Sequence, residues 1–279
     1  DLAWAAGDLR ARGFLVGATA GRTTLNGEGL QHEDGNSHMM AGMIPNCVSY
    51  DPTFAYEIAV ILHDGLRRMY GEGEDIFYYL TVENENYPHP EMPEGAEEGI
   101  RKGLYLLRQG AEGPKKAQLL GSGAILREAV AAANILEQDF GVMADVWSAT
   151  SFTELRRDGV ECARWNRLNP ENEPRIPWVT QSLRDRAGPV IAASDYVRAF
   201  ADQIRGFLPQ EDYIVLGTDG FGRSDTREKL RRFFEVDRYN IAYAALYGLY
   251  RQGLIGTGEL VAARTSLGID PGKVNPVLL

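Results

Sequence analysis

The sequence predicts an α/β fold with mainly parallel sheets, arranged as two successive units of which the first is incomplete. Short apolar runs rich in β-branched and aromatic residues alternate with longer segments whose apolar residues recur at helical spacing. Glycines and prolines that favour turns separate the two kinds of segment. This alternation is typical of parallel strands joined by crossover helices, and 279 residues are enough for two such units.

Residues 1–92 are predicted to form the first, incomplete unit. Its apolar runs predict three strands, over 13–19, 43–50 and 76–82. Asp51 and Pro52 favour the start of a helix, because an acidic N-cap is followed by proline in the first turn. Two helices are expected, over 2–11 and 52–70.

Residues 93–114 are predicted to be a linker, since prolines, glycines and acidic residues replace the apolar runs, with a short helix within 95–108. Residues 115–279 are predicted to form the second, complete unit. Its strands are expected over 116–120, 143–149, 189–193 and 213–216. Its helices are expected over 124–138, 151–168, 195–205, 226–234, 238–252 and 257–266.

Composition excludes two classes of partner. A formal net charge of −10 disfavours binding to nucleic acid or to an anionic membrane surface, because both need basic patches. No apolar run approaches the ~20 residues of a membrane-spanning helix. Cys47 and Cys162 lie far apart without a C-x-x-C partner, which favours a reducing compartment and predicts a cytoplasmic protein. Because the chain begins with Asp1 rather than Met, we expect it to be a piece of a longer protein.

The polar stretch 21–38 is the first candidate for function. It contains two of the four histidines, His32 and His38, with three carboxylates and four glycines, and almost nothing to bury. Imidazole is the side chain best suited to move protons near neutral pH, so a catalytic or substrate-binding loop is the favoured interpretation. A metal site formed by His32, Glu33, Asp34 and His38 is an alternative, although the spacing matches no standard motif. A surface loop without chemistry is another.

The glycine-rich stretch 217–225 follows a predicted strand but lacks the G-K-[ST] of a phosphate-binding P-loop. Arg223 and Arg227 are candidates for binding an anion. Asp219 and Asp225 are equally placed to pair with them, and a structural corner held by these ion pairs is the favoured interpretation. The helix predicted over 238–252 has more apolar and aromatic surface than one face needs, so it packs either against a partner subunit or inside a large core.

Several motifs together resemble one enzyme family. The run from Gly21 to Gly35, GRTTLNGEGLQHEDG, resembles the active-site loop of bacterial homodimeric pyruvate dehydrogenase E1, a thiamine diphosphate enzyme. The resemblance continues through 44–51, 93–103, 217–225 and 273–276 and covers essentially the whole chain. It implies a transketolase-like architecture. In this family's three-domain subunit, the chain resembles the last part of the pyrimidine-binding middle domain plus the C-terminal domain.

The resemblance also implies an activity. The family decarboxylates pyruvate and passes the two-carbon unit to a lipoyl group on the E2 acetyltransferase. Histidines on the thiazolium side of the site bind substrate oxygens and move protons, and His32 matches one of them. His38 has a counterpart in the related transketolase loop and is the second predicted catalytic residue. The chain departs from the pattern at Asn36, where histidine is common, so no proton transfer is expected there.

The cofactor clamp of the family is missing from this sequence. Thiamine diphosphate enzymes hold Mg²⁺ and the diphosphate with a G-D-G motif, and no G-D-G triplet occurs here. The glutamate that activates the aminopyrimidine also belongs to a segment before Asp1. We therefore expect this chain to bind neither thiamine diphosphate nor Mg²⁺ well, and to be inactive alone.

Two other interpretations stay open. The chain is either a catalytic part of the larger enzyme or, in isolation, an assembly module that supplies dimer surface. A transketolase-type enzyme acting on sugar phosphates is less favoured, since Arg22 is the only basic residue of the loop apart from its histidines.

Overall fold

The computed structural model describes residues 2–18 and 20–279. Two mainly parallel sheets are flanked by helices, which confirms the predicted fold class. The strand predicted over 13–19 includes Thr19, which lies outside the described residues. Among the described residues, no helix is both long and apolar enough to cross a bilayer.

The first sheet has three parallel strands in the order β1-β3-β2. They are β1 (Phe14–Ala18), β2 (Cys47–Tyr50) and β3 (Phe77–Val82). The helices of this unit are α1 (Leu2–Asp8), α2 (Ser37–Met43) and α3 (Ala55–Leu66), and α3 continues as a π-helical turn, Arg67–Gly71. Buried β-branched and aromatic residues of β2 and β3, Val48, Tyr50 and Tyr78 among them, pack against Ile61 of α3.

Helix α2 is absent from the predicted elements, because it starts inside the polar stretch and is only seven residues long. Asp34 starts this helix: its Oδ1 accepts the backbone N–H groups of Asn36 and Ser37, at 2.9 and 3.0 Å. A carboxylate near a helix N-terminus satisfies backbone donors that have no partner within the helix. The polar stretch therefore ends in a helix rather than continuing to the second strand.

The segment 93–114, predicted as a linker, contains regular structure. It comprises α4 (Ala96–Lys102), shorter than the helix expected within 95–108, and the unpredicted strand β4 (Tyr105–Arg108). Strand β4 pairs antiparallel with the later strand at 143–148 and so forms an edge of the second sheet. The domain boundaries at residues 92 and 114 stay predictions.

The second sheet has five strands in the order β4-β6-β5-β7-β8, all parallel except β4. Its remaining strands are β5 (Lys116–Gly121), β6 (Met143–Ser148), β7 (Val190–Ala193) and β8 (Tyr213–Leu216). The helices are α5 (Ile125–Phe140), α6 (Phe152–Leu168), α7 (Trp178–Leu183), α8 (Arg198–Asp202), α9 (Arg227–Phe234), α10 (Arg238–Arg251) and α11 (Thr257–Ser266). Helices α5 and α9–α11 pack on one face of the sheet, and α6–α8 on the other.

Helix α10 buries its aliphatic residues inside this unit. Ile241, Leu246 and Leu249 are at most 2% exposed and belong to the core that contains α5 and β7. Tyr239, Tyr247 and Tyr250 on the same helix are 37–43% exposed. A large internal core therefore explains the aliphatic surplus of α10, and the tyrosines remain at the surface.

The two units meet where their strands end. Asp51, directly after β2, donates its backbone N–H to the carbonyl of Thr150 at 2.8 Å and accepts that of Gly123 at 3.1 Å. The hydroxyl of Ser151 donates to the carbonyl of Ser49 at 2.6 Å. The carboxyl ends of both sheets thus enclose a shared polar interior. The start of the polar stretch, residues 21–25, is buried, whereas residues 26–32 are exposed.

Candidate active site

The start of the polar stretch is bound to the second unit by one buried carboxylate. Asp195, two residues after β7, accepts the backbone N–H of Thr23 at 2.9 Å and its hydroxyl at 2.6 Å through Oδ1. Its Oδ2 accepts the hydroxyl of Thr24 at 2.7 Å. All three residues are fully buried. Burial raises the pKa of Asp195, while Arg231 and these donors oppose that rise.

Arg22 extends this attachment. Its guanidinium is buried and donates to the backbone carbonyls of Thr218 and Gly220, at 2.5 and 2.6 Å. The backbone N–H of Val197 donates to the carbonyl of Gly35 at 3.0 Å, which fixes the far end of the stretch. The stretch between these points is therefore held by the loops that follow β7 and β8, and not by the sheet from which it comes.

His32 lies on the exposed side of this stretch. It ends a 3₁₀ turn, Leu30–His32, which is closed by the backbone hydrogen bond from His32 to Gly29 at 3.0 Å. Its imidazole is exposed and has no hydrogen-bond partner among the described residues. Glu33, next to it, is 5% exposed, and its Oε2 accepts the backbone N–H of Arg223 at 2.6 Å. Burial raises the pKa of Glu33 to about 7.

His38 lies in the interior, in the first turn of α2. It is 1% exposed, with Nδ1 3.1 Å from the Ser49 hydroxyl and Nε2 3.0 Å from the Thr81 hydroxyl. Its ring stacks on Phe200, with 4.8 Å between centroids, and meets Tyr196 edge-on at 4.7 Å. Burial lowers its pKa to about 3, so the imidazole is neutral at physiological pH.

The four residues of the metal-site interpretation have separate partners. Asp34 caps α2, Glu33 binds Arg223, His38 is enclosed by hydroxyls and aromatic rings, and His32 faces outward. Across residues 2–18 and 20–279, no group of three or more His, Cys, Asp or Glu side chains is arranged to hold a metal ion. His32 thus ends an exposed turn, whereas His38 lies buried in α2.

The corner at 217–225 is structural, but the ion pairs predicted for it are wrong. Asp219 pairs with Arg198, with Oδ2 2.7 Å from Nε. Asp225 lies 3.5 Å from Lys229. Arg227 donates through Nε to the carbonyl of Thr24 at 2.7 Å, and the Arg223 guanidinium lies over the ring of Phe233, 5.4 Å from its centroid. The corner therefore serves as the surface on which the polar stretch docks.

Sequence reasoning missed a pair of carboxylates at the junction of the units. Asp51 and Glu83 directly follow β2 and β3, and Glu83 Oε1 and Asp51 Oδ2 lie 2.6 and 2.8 Å from where a Cβ on Gly123 would stand. The hydroxyls of Thr81 and Ser122 donate to Asp51, at 2.7 and 2.8 Å. Both oxygens of Glu83 are buried without such a donor. Burial raises the pKa of Asp51 to about 7 and that of Glu83 well above its usual value.

A sequence signal for this pair exists. Parallel strands end at one edge of a sheet, so acidic residues placed directly after two neighbouring strands are expected to meet there. From the sequence, Asp51 is assigned only as the N-cap of a helix, and no role is assigned to Glu83.

Comparison with known proteins agrees with the resemblance of the loop. Residues 1–90 match the family described as pyruvate dehydrogenase E1 component middle domain, and residues 103–237 match the transketolase-like C-terminal domain. The pyruvate dehydrogenase E1 component of Cupriavidus necator is 60% identical over 279 residues, and that of Pseudomonas aeruginosa 59% over 278. Each alignment covers 99% of this chain.

Solved structures agree on the fold. A transketolase from Campylobacter jejuni superposes with a TM-score of 0.64 over 88% of this chain and 33% of its own, at 18% identity. At that identity the likeness concerns the fold alone. The chain spans 31–32% of the length of the two E1 relatives. At 60% identity over 99% of its own length, the chain is thus homologous to about a third of a pyruvate dehydrogenase E1 component, with residues 1–90 matching that family's middle domain.

Proposed function

We propose that this chain forms part of an enzyme that decarboxylates pyruvate and transfers the two-carbon unit to the lipoyl group of an E2 acetyltransferase. The observation that carries the proposal is the 60% identity to a pyruvate dehydrogenase E1 component over 99% of the chain. Because the chain spans about 31% of that relative, turnover is proposed for the longer protein and not for this part alone.

His32 is the residue that we propose to move protons at the substrate. Its exposure and its lack of a partner among the described residues leave both ring nitrogens available. The stretch around it is fixed by Asp195 and Arg22, so the imidazole is presented on a positioned loop rather than a free one. Such preorganisation is what general acid–base catalysis requires.

His38, predicted as a second catalytic residue, is better supported as a positioning residue. Its ring is 1% exposed and is enclosed by Ser49, Thr81, Tyr196 and Phe200, which supports a role in holding the loop. It links α2, which follows the loop, to strands β2 and β3. Through that link His38 fixes the C-terminal end of the loop that carries His32.

We propose that thiamine diphosphate, on which the E1 family depends, and its Mg²⁺ are bound by residues outside this chain. The support is the sequence, which contains no G-D-G triplet.

Partners and location are part of the same proposal. Pyruvate, the lipoyl domain of E2 and a second copy of the longer protein are the proposed partners, and the cytoplasm is the proposed location. The exposed tyrosines of α10, Tyr239, Tyr247 and Tyr250, supply a surface suited to assembly. A net charge of −10 disfavours nucleic acid and anionic membranes.

The test is His32→Ala in the full-length enzyme. Loss of an acid–base group is expected to lower kcat for pyruvate by about 10²–10⁴-fold. His63→Gln is the matched control, because His63 is exposed on α3, and it should leave kcat unchanged. The chain of 279 residues, assayed with thiamine diphosphate and Mg²⁺, should show no turnover. A His32→Ala enzyme within twofold of wild type would reject the assignment.

A further inference from the structure

The turn that carries His32 contacts the second unit through Glu33. This contact is separate from the attachments of the polar stretch at Asp195 and Arg22. The backbone N–H of Glu33 closes the turn by donating to the carbonyl of Leu30 at 3.2 Å. Glu33 is 5% exposed, and its Oε2 accepts the backbone N–H of Arg223 at 2.6 Å. One residue thus belongs to the turn through its backbone and to the corner at 217–225 through its carboxylate.

Close packing at Gly222 defines the other side of this contact. A Cβ on Gly222 would lie 2.8 Å from the carbonyl oxygen of Leu30 and 2.9 Å from Cβ of Glu33. A Cβ is essentially never found so close to a backbone atom. Only glycine at position 222 therefore permits this approach of the corner to the turn. Gly222 therefore packs directly against both Leu30 and Glu33, which lie at the two ends of the turn.

The surroundings of Glu33 identify the contact that holds its side chain. Arg22 donates through Nε to the Glu33 carbonyl at 3.5 Å and attracts the carboxylate, whereas Asp195 repels it. The guanidinium of Arg223 lies over Phe233 instead of pairing with Glu33, and Glu33 Oε1 is buried without a donor. The hydrogen bond to the Arg223 backbone is thus the specific attachment of this side chain.

We propose that Glu33 is a positioning residue for the reaction, which through the Arg223 N–H and the close contact at Gly222 fixes the turn that presents His32. This inference rests on the proposed function, because it assigns a purpose to the turn only if His32 acts on the substrate. It assigns Glu33 no contact with substrate.

The first test compares Glu33→Ala with Glu33→Gln in the full-length enzyme. Alanine removes the acceptor of the Arg223 N–H, and a displacement of the imidazole by about 1 Å should lower kcat about 10–100-fold, with a smaller change in KM for pyruvate. Glutamine keeps an acceptor oxygen of the same reach and should retain kcat within about threefold. Glu137→Gln, at an exposed position of α5, is the matched control.

The second test reaches the same contact from the opposite side without touching the loop. Gly222→Ala should displace the turn and reproduce the kcat loss of Glu33→Ala. Gly206→Ala is the control, because a Cβ there has no atom within 4 Å, and it should behave as wild type. Hydrogen exchange of the free enzyme supplies a readout besides activity. Amides of residues 29–34 should exchange faster in Glu33→Ala and Gly222→Ala and at the wild-type rate in Glu33→Gln.

The outcomes separate this inference from the proposed function. A slow His32→Ala enzyme beside Glu33→Ala at wild-type kcat would overturn the inference and leave the function intact. A fully active His32→Ala enzyme would reject the proposed function instead. In that case the hydrogen-exchange rates decide whether Glu33 holds the turn. Unchanged rates at residues 29–34 in Glu33→Ala would overturn the inference about Glu33 as well.

Discussion

Two histidines six positions apart on one polar stretch have opposite surroundings. His32 is exposed at the end of a 3₁₀ turn, while His38 is enclosed by two hydroxyls and stacked on Phe200. Sequence reasoning places both in one catalytic class, because the residue type and the local composition are the same. Burial, which depends on what α2 packs against, distinguishes the exposed imidazole of His32 from the enclosed imidazole of His38.

The titration of His38 gives a residue-scale prediction about stability. Its pKa is lowered by burial to about 3, whereas an unfolded histidine titrates near 6.5. Between these values the unfolded chain binds the extra proton, so this residue's contribution to stability is present above pH 6.5 and lost as the pH falls toward 3. His38→Gln should be less stable than wild type at pH 7 because it loses the ring contacts with Ser49 and Thr81, and the difference in unfolding free energy should shrink between pH 6.5 and 4, where the histidine makes wild type lose stability.

Urea unfolding at half-unit pH steps measures this difference. The expected slope is at most about 1.4 kcal/mol per pH unit. His63→Gln changes an exposed histidine of α3 and should give a curve parallel to wild type. If the His38→Gln and wild-type curves are also parallel, His38 is not held neutral in the folded protein.

At the scale of elements, the alternation of strands and helices is readable from the sequence, and the exceptions share a cause. Most predicted strands and long helices are present close to their expected bounds. The unpredicted elements, α2, β4 and α7, have only four to seven residues. Helix α2 depends on the Asp34 cap, and β4 depends on pairing with β6 across some forty residues of chain. Contacts of this kind leave no periodicity in the sequence.

Docking of the polar stretch onto the loop after β7 gives a prediction at this scale. Asp195→Ala removes the acceptor of three hydrogen bonds from Thr23 and Thr24, and leaving buried donors unsatisfied should cost at least about 2 kcal/mol. The stretch 21–36 should then be cleaved faster by a protease at low concentration. Asp195→Asn should be milder, because its amide oxygen still accepts from Thr23 and its NH₂ can donate to the Thr24 hydroxyl.

Asp185→Asn is the matched control, since its carboxylate is 87% exposed and lies at the surface. Cleavage sites should map within 21–36 by mass spectrometry. Equal cleavage rates for wild type and Asp195→Ala would show that Arg22 and the backbone contacts hold the stretch without Asp195.

At the scale of the whole molecule, the junction of the two units is built from polar groups rather than apolar ones. Asp51, after β2, accepts the hydroxyl of Ser122 and the backbone N–H of Gly123, both from the turn after β5. The loop of the candidate site can be singled out from the sequence because its residues are contiguous. The pairing of Asp51 with Glu83 has a weaker signal, two acidic residues directly after strands, because it also requires that β2 and β3 be neighbours in the sheet.

This junction should respond to pH through Glu83. Its oxygens are buried; Asp51 and Asp195 repel a charge there, and Arg231 and the backbone N–H of Ala124 favour one. The pKa of Glu83 is therefore raised well above its usual value and that of Asp51 to about 7. Because both folded-state pKa values exceed the unfolded ones of roughly 4, the folded protein binds more protons, and its stability falls as the pH rises through 7.

Glu83→Gln removes the carboxyl group that must either stay protonated or bring a second charge beside Asp51. The variant should melt at a higher temperature than wild type, and the difference should grow from pH 5 to pH 8, by about 2–4 °C for each kcal/mol recovered. Glu137→Gln, which changes an exposed glutamate, should leave the pH dependence unaltered. Thermal unfolding at matched ionic strength measures the difference. A gap between wild type and Glu83→Gln that stays constant across this range would mean that Glu83 titrates near its ordinary pKa and that the junction does not sense pH.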